Sequence, residues 1–386
     1  MAQLKDFIVR TRLVNTEENH NKGDSAFDTL DYVFLETYGE AAGFRKYERI
    51  AYASDYAVMN GALVSREYAG PKKDRRSTWQ WLRSADSEYS LYGVGPYGST
   101  LLIGTNEDLN LSAGLCPAMR LNLSSLISDL GAENLKIEPF KDKSDKILYH
   151  TIEFGSYPQD KAKNSDELTE LYKAHKLTPT GKTYTGYMKD DGSFQQNKEF
   201  EYNGKKYVRV ISKKHNNGSK YKDGTKAPEG GTPMWAEVQP IKWKILNYNK
   251  LPRSINPNGN GTAKTIYVKS EEALMSGILF YAGSRENEYT MWQNSPLRAI
   301  FNGYNLHEEL SKGNGNIAYK ARKNFNFNGK GFLEEAFDGD LKSMIVSTKH
   351  VYENKNFHNC RGKDLDAYPN VSKIISIIDD EECPIN

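Results

Sequence analysis

The sequence predicts an α+β protein, a twisted and mostly antiparallel sheet carrying short helices. Three observations lead there. Short runs such as Trp79-Gln80-Trp81-Leu82 and Lys206-Tyr207-Val208-Arg209-Val210 alternate polar with bulky apolar side chains, the period of a half-buried strand. The 25 Tyr and 31 Gly suit strands, tight turns and surfaces that tolerate water. Helical cues are confined to short segments that open on a capping residue or a proline.

Composition bounds the rest. A chain of 386 residues has room for two or three average domains, or for one large domain with insertions, and can bury a sizeable core. Its apolar fraction of 38% is low, but 25 Tyr, 15 Phe and 5 Trp supply packing groups that disordered chains lack. With 52 basic and 50 acidic residues the charge is nearly balanced, without the basic excess of a nucleic-acid binder. The short basic runs Lys72-Lys73 and Arg75-Arg76 read as a solvated turn. Three cysteines, Cys116, Cys360 and Cys383, are too few for a disulfide scaffold and suit a reducing compartment or simple indifference to redox. The N-terminal segment lacks the apolar core of a secretory signal, and no stretch approaches the roughly 20 apolar residues of a membrane span. The expectation is a soluble protein, cytoplasmic by default, with no membrane partner.

Taken in order, Asp31 to Phe44 reads as an apolar strand running into an acidic helix start. Tyr52 to Leu63 is helical or irregular. Trp79 to Ser84 is a strand whose alternation puts Trp79 and Trp81 on one face. A Gly-punctuated meander spans Tyr92 to Gly104, and Gly114 to Leu123 is a strand with Met119, Leu121 and Leu123 on one face. The charged stretch 128–144 marks a linker. Beyond it, Ile152 to Gln159 is a strand ended by a turn at Pro158, and Asp166 to His175 is a short helix capped by Ser165. Phe200 to Ile211 is a hairpin around Asn203-Gly204. Trp235 to Leu246 and Ile266 to Val268 add strands, with a Pro/Asn/Gly loop from Pro252 to Gly261 between them. Ser295-Pro296 opens a helix, since proline's missing N–H costs nothing in a first turn, and Phe332 to Phe337 is helical.

The two ends carry copies of one pattern. Ile8-Val9-Arg10-Thr11-Arg12 matches Ile345-Val346-Ser347-Thr348-Lys349, and a polar, Asn-rich spacer follows each. Then comes an apolar strand meeting acidic residues, Asp31 to Phe44 in one copy and Val371 to Pro384 in the other. The chain therefore reads as a permuted domain or a tandem array cut in mid-unit, with self-association through the incomplete ends as a consequence.

Several blocks together carry a family resemblance: F-G-S-Y-P-Q from Phe154, V-Q-P-I-K-W-K-I-L from Val238, W-Q-N-S-P-L-R from Trp292, V-F-L-E from Val33, W-L-R-S from Trp81 and G-L-C-P-A-M-R-L-N-L from Gly114. In these the chain resembles the uncharacterised bacterial family called domain of unknown function 6273. It departs from that family in order, with the Trp-Leu-Arg-Ser half first, and Leu115-Cys116 stands where the family has Val-Arg. The implied organisation is a half-domain over 1–127, the linker 128–144, and a second half-domain over 145–386. More distantly, W-x-R-S, a Gly-rich meander and G-x-x-P-A-x-R resemble the C-type-lectin-like fold of sulfatase-modifying proteins, a likeness of fold from which function does not follow.

No zinc spacing, Walker loop, nucleophile elbow or dinucleotide fingerprint is present. His358-Asn359-Cys360 stands alone, and Gly93 to Gly98, which holds Pro96, reads as a turn. Asp190-Asp191-Gly192-Ser193 is a turn by composition, with calcium as its functional alternative, and Asp379 to Glu382 suits a helix N-terminus. No cofactor is therefore expected apart from that calcium. The function expected is non-catalytic recognition of a carbohydrate or protein ligand. Its expected residues are Trp79, Trp81, Arg83, Tyr89, Tyr92, Tyr97 and Arg120, with paired tryptophans serving as core or as a stacking floor. The alternatives are a modifying enzyme of the formylglycine-generating kind, which needs a reactive cysteine pair or a metal, and a scaffold unit of a larger array.

Overall fold

The structure, a computed structural model, describes residues 11–13, 29–68, 70–72, 75–87, 90–104, 113–122, 136–213, 219–251, 263–280, 292, 295–303, 330–337 and 345–346. The strands are β1 (Thr11–Leu13), β2 (Thr29–Asp31), β3 (Val33–Phe34), β4 (Ala51–Ala53), β5 (Val64–Tyr68), β6 (Arg76–Thr78), β7 (Gln80–Ser87), β8 (Ser90–Val94), β9 (Thr100–Gly104) and β10 (Ala118–Asn122). They continue as β11 (Ile137–Lys141), β12 (Ile147–Lys161), β13 (Thr178–Met188), β14 (Phe194–Tyr202), β15 (Lys205–Ile211), β16 (Pro233–Leu251), β17 (Ala263–Ser270), β18 (Glu272–Ala273) and β19 (Ile345–Val346). The helices are short: α1 (Tyr38–Gly43), α2 (Lys46–Arg49), α3 (Asp55–Met59), α4 (Ser165–Lys173), α5 (Pro296–Asn302) and α6 (Phe332–Ala336). The α+β class with a largely antiparallel sheet is what the sequence predicts.

One long strand organises the sheet. The 19-residue β16 pairs along one edge first with β15 and then with β17, and along the other edge with β12. The large sheet runs β13-β14-β15-β16-β17-β10-β19, with β11 and β12 branching from β16 and β3 joining β10. Two smaller sheets, β18-β4-β6-β5 and β7-β8-β9, sit beside it, and β1 pairs with β2. The outer edge of β10 is shared: Met119 and Ala118 pair with Val33 and Phe34, while Leu121 and Arg120 pair with Ile345 and Val346. Parts of both end copies therefore meet on one strand, which also draws strands from both expected half-domains into one sheet. The rest of the second copy, with Cys360, Cys383, His358 and Asp379 to Glu382, lies outside the described residues, as do Ile8 to Arg10 of the first.

Local chemistry explains several elements. Asn203 (φ 51°) and Gly204 (φ 72°) supply the two positive-φ positions of a two-residue hairpin turn, closing β14 on β15 with Tyr202 opposite Lys205. Thr37 caps α1 in a full capping box with Glu40, and Ser295 caps α5, accepting from the Arg298 N–H ahead of Pro296. Gly155 lies in a bulge at φ 70°, and a Cβ there would come within 2.5 Å of the Phe337 ring.

Two local expectations need correction. β12 does not turn at Pro158 but runs on to Lys161; a bulge between Pro158 and Lys161 accommodates a residue that cannot donate to the ladder. Ser165 does not cap α4. It is the first helical residue, its hydroxyl donates to Ala162 O at 2.7 Å, and Asn164 stands at the cap without a side-chain bond. The charged stretch 128–144 includes a strand, β11, paired to β12. Tyr52 to Leu63, read as helical or irregular, divides into the end of β4 and the helix α3.

Several of the blocks quoted above tie the core together. Asp31 accepts from Trp292 Nε1 at 2.7 Å and from Arg298 Nε at 2.6 Å, and Asn302 brackets Val33 by accepting from its N–H and donating to its carbonyl. Trp243 Nε1 donates to Phe154 O at 2.7 Å, and its ring packs with Phe332 and Phe337. These contacts join segments far apart in sequence. That is what single short motifs cannot reveal.

Helix α6 brings Glu335 into this core. Its Oε1 accepts from the Thr185 N–H at 2.9 Å and from Thr185 Oγ1 at 2.6 Å, and its Oε2 accepts from Tyr157 Oη at 3.2 Å. Burial pushes the carboxyl up to about 7 against the pull of those hydrogen bonds. Because the folded value exceeds the unfolded one, the contribution of Glu335 is most favourable below about pH 4.5 and declines as pH rises toward 7. Glu335→Gln is therefore expected to gain stability over the wild type by about 3 kcal/mol between pH 5 and pH 8. Urea unfolding at the two pH values measures this; a stability difference that does not change with pH contradicts it.

Candidate functional site

The residues expected to bind ligand are distributed unevenly. Trp81 is buried beside Phe280, with Trp79 packing on the same core from its edge. Arg83 is buried, donates through Nε to Leu35 O at 2.9 Å and lies beside Phe34 and Glu40. Arg120 is buried with its guanidinium 4.8 Å from the Tyr267 ring centroid. Tyr92 is half-buried against Tyr38, and Tyr97, in the turn from β8 to β9, is exposed. Tyr89 lies outside the described residues. None of the other six lines the cleft described next.

That cleft, about 430 Å³, opens between the β11-β12-β16 region of the large sheet and the small sheet containing β4 and β18. Pro139 and Pro240 line one wall. Pro158 and Pro240 both lack an N–H where β12 crosses β16, and the Gln159 amide bridges the gap, donating to Gln239 O at 2.9 Å and Pro240 O at 2.8 Å. Phe140 forms the aromatic wall, stacked on Tyr149 at 4.8 Å between centroids.

The opposite wall is an ion-pair network. Glu271 takes Lys72 Nζ at 2.8 Å and the Tyr149 hydroxyl at 2.8 Å. Glu272 takes Arg75 at 2.7 Å and Lys222 Nζ at 2.7 Å, and Lys222 also bonds Asp160. Beneath them Asp55, in the first turn of α3, accepts the backbone N–H groups of Lys161 and Lys222. Lys72 lies over the rings of Tyr52 and Phe140 at 5.6 and 5.4 Å, and Arg75 over Tyr52 at 5.7 Å. Lys72 and Arg75 are thus not a solvated turn, as their sequence suggests. Carboxylates about 200 positions downstream draw them in.

Electrostatics keep this wall charged. Burial works against the Glu272 carboxylate, but Lys222 and Arg75 outweigh it and hold the group down at about 2. Burial likewise opposes the Glu271 carboxylate, which Lys72 brings below its usual range. Asp55 goes the other way, raised by burial despite its two backbone donors. Among the described residues no group of three or more His, Cys, Asp or Glu is placed to share a metal ion. Asp191 of the acidic turn is engaged by the N–H and hydroxyl of Ser193. Cys116 is buried, and burial pushes its thiol up to about 11, away from the reactive thiolate. No helix among the described residues is long and apolar enough to cross a membrane. Compared with protein-family models, curated proteins and solved structures, the chain matches none.

Lys222 is the hub of the wall, and Lys222→Met is expected to cost roughly 3 kcal/mol, because Asp160 loses its partner and Glu272 keeps only Arg75. Chemical denaturation measures the cost. A loss under about 0.5 kcal/mol, typical of an exposed pair, contradicts the network's role.

Proposed function

We propose that the protein is a non-catalytic recognition protein that binds a carbohydrate in this cleft. The observation that carries the reading is the pairing of an aromatic face with polar groups already locked in place. Phe140 stands braced by Tyr149 beside Glu271, Glu272, Lys72, Arg75 and Lys222, all held by one another. Sugar hydroxyls donate and accept at once, so they suit a wall that offers carboxylate acceptors next to ammonium and guanidinium donors. A sugar ring also presents a C–H face to an aromatic one. Because the polar groups are fixed before binding, little side-chain entropy is lost when the ligand arrives. The cleft's 430 Å³ lies within the roughly 300–1,000 Å³ of small-molecule sites.

The resemblance to the bacterial family of unknown function, and the C-type-lectin-like fold, belong to the same proposal. The W-L-R-S and W-Q-N-S-P-L-R blocks act in it as ties of the core rather than as ligand contacts. The formylglycine-generating alternative receives less support, because the described cysteine, Cys116, is buried with a raised thiol.

A glycan array read with the purified chain tests the reading, followed by calorimetric titration of the strongest hit. Phe140→Ala is expected to weaken binding at least ten-fold, about 1.4 kcal/mol, with the unfolding transition retained. An array without hits, or wild-type affinity in Phe140→Ala, contradicts it.

A further inference from the structure

A second opening, a groove of about 1310 Å³, lies between the end of β13 with its following turn and the segments 212–213 and 219–231. Lys213 lines it. The backbone N–H of Lys213 donates to Met59 O at 2.8 Å. Its stem crosses Gly61, where an added Cβ would meet Lys213 Cδ at 3.1 Å, and its Nζ comes to rest 5.5 Å from the Tyr187 ring centroid. There Nζ is withdrawn from water, and among the described residues it has no hydrogen-bond partner and no carboxylate at ion-pair distance. The fully buried lysines treat their charge differently: Lys244 donates to Glu48 O and Ile50 O, and Lys269 pairs with Glu36 at 2.6 Å.

A ring face returns about 0.5–2 kcal/mol to a cation, less than the several kcal/mol that desolvation removes. Burial accordingly pushes the amine down to about 8, with the charge of Asp190 as the opposing influence. A methionine would cover Gly61 and pack on Tyr187 without that penalty, so packing alone does not explain a lysine here. The groove's other described charges balance, Lys189 and Lys226 against Asp190 and Glu229, so its net positive charge is that of Lys213. The hydroxyls of Ser212 and Ser219 are already engaged, by Glu229 O and Ala62 O.

We propose that this groove is an anion site, in which Lys213 pairs with a carboxylate or phosphate oxygen of an incoming ligand. The anion supplies the counter-charge that the described residues do not place beside Nζ. The flexible four-carbon stem lets Nζ leave the ring to meet it. Lysine charge and anion binding are then linked: the anion favours the ammonium form, and the ammonium form favours the anion. The site is independent of the Phe140 cleft, and either can fail without the other.

The test is NMR titration of lysine 13Cε resonances in the full chain, with Lys213 assigned by loss of its signal in Lys213→Arg. Three series are run: no addition, sodium glucuronate, and inorganic phosphate. The expected result is a Lys213 midpoint near 8 in the absence of anion, moved up by at least one unit by a saturating anion, which corresponds to ten-fold preference for the charged lysine. A response to glucuronate alone identifies a carboxylate ligand, and a response to phosphate alone identifies a phosphoryl one. Lys213→Arg should keep anion binding and Lys213→Met should abolish it. The wild-type titration decides the matter even if Lys213→Met does not fold. No shift with either anion, or undiminished binding in a folded Lys213→Met, overturns the proposal.

Discussion

Two adjacent carboxylates, Glu271 and Glu272, hold the described parts of this molecule together where β17 passes into β18. The Glu271 N–H donates to Lys242 O of β16, and its carboxylate takes Tyr149 of β12 and Lys72 from the turn between β5 and β6. Glu272 pairs with Tyr52 of β4 in the parallel step of the small sheet, while its carboxylate takes Arg75 and Lys222. One dipeptide thus ties the large sheet, the small sheet and the 219–231 segment. Burying two carboxylates side by side is unfavourable unless each is matched, and here each has at least two donors. The arrangement follows from that demand. Removing any one partner leaves an unmatched charge that is largely buried.

The cleft is the space these ties leave open. Its walls are rigid for the same reason that the sheets stay docked: the groups that would touch a ligand are the groups that join the sheets. Phe140 takes part in both roles, stacked on Tyr149 and facing the Lys72 ammonium. The prolines at positions 158 and 240 belong to this logic as well. They interrupt the ladder between β12 and β16, and the Gln159 amide takes up the carbonyls at the interruption.

Features set by neighbours in sequence were legible in the sequence: the Asn203-Gly204 hairpin, the Ser295-Pro296 helix start, and the strand running into the acidic start of α1. Each rests on backbone preferences that act over a few residues. Pro158 shows where that reading stops, because the demand of the sheet for a continuous β12 outweighs the local turn preference. Lys72 and Arg75 show it more sharply. A short basic run has the composition of a solvated turn, and only the arrival of Glu271 and Glu272 makes it a wall. Arg83 and Trp81 were visible as an unusual pair, but their partners Leu35, Glu40 and Phe280 lie tens to hundreds of positions away. The site was missed for the same reason: its lining comes from six separate stretches of chain, and even those within the F-G-S-Y-P-Q and V-Q-P-I-K-W-K-I-L blocks carry no sign of the others they meet.

The most direct test of this account is the ionisation of Glu272, followed by carboxyl 13C NMR as the protein is acidified. If Lys222 and Arg75 hold the carboxylate as the geometry requires, it stays ionised well below the ordinary glutamate range and titrates at about 2. A midpoint at or above 4.5 would mean that burial dominates and the ties are not formed, and the account would be contradicted.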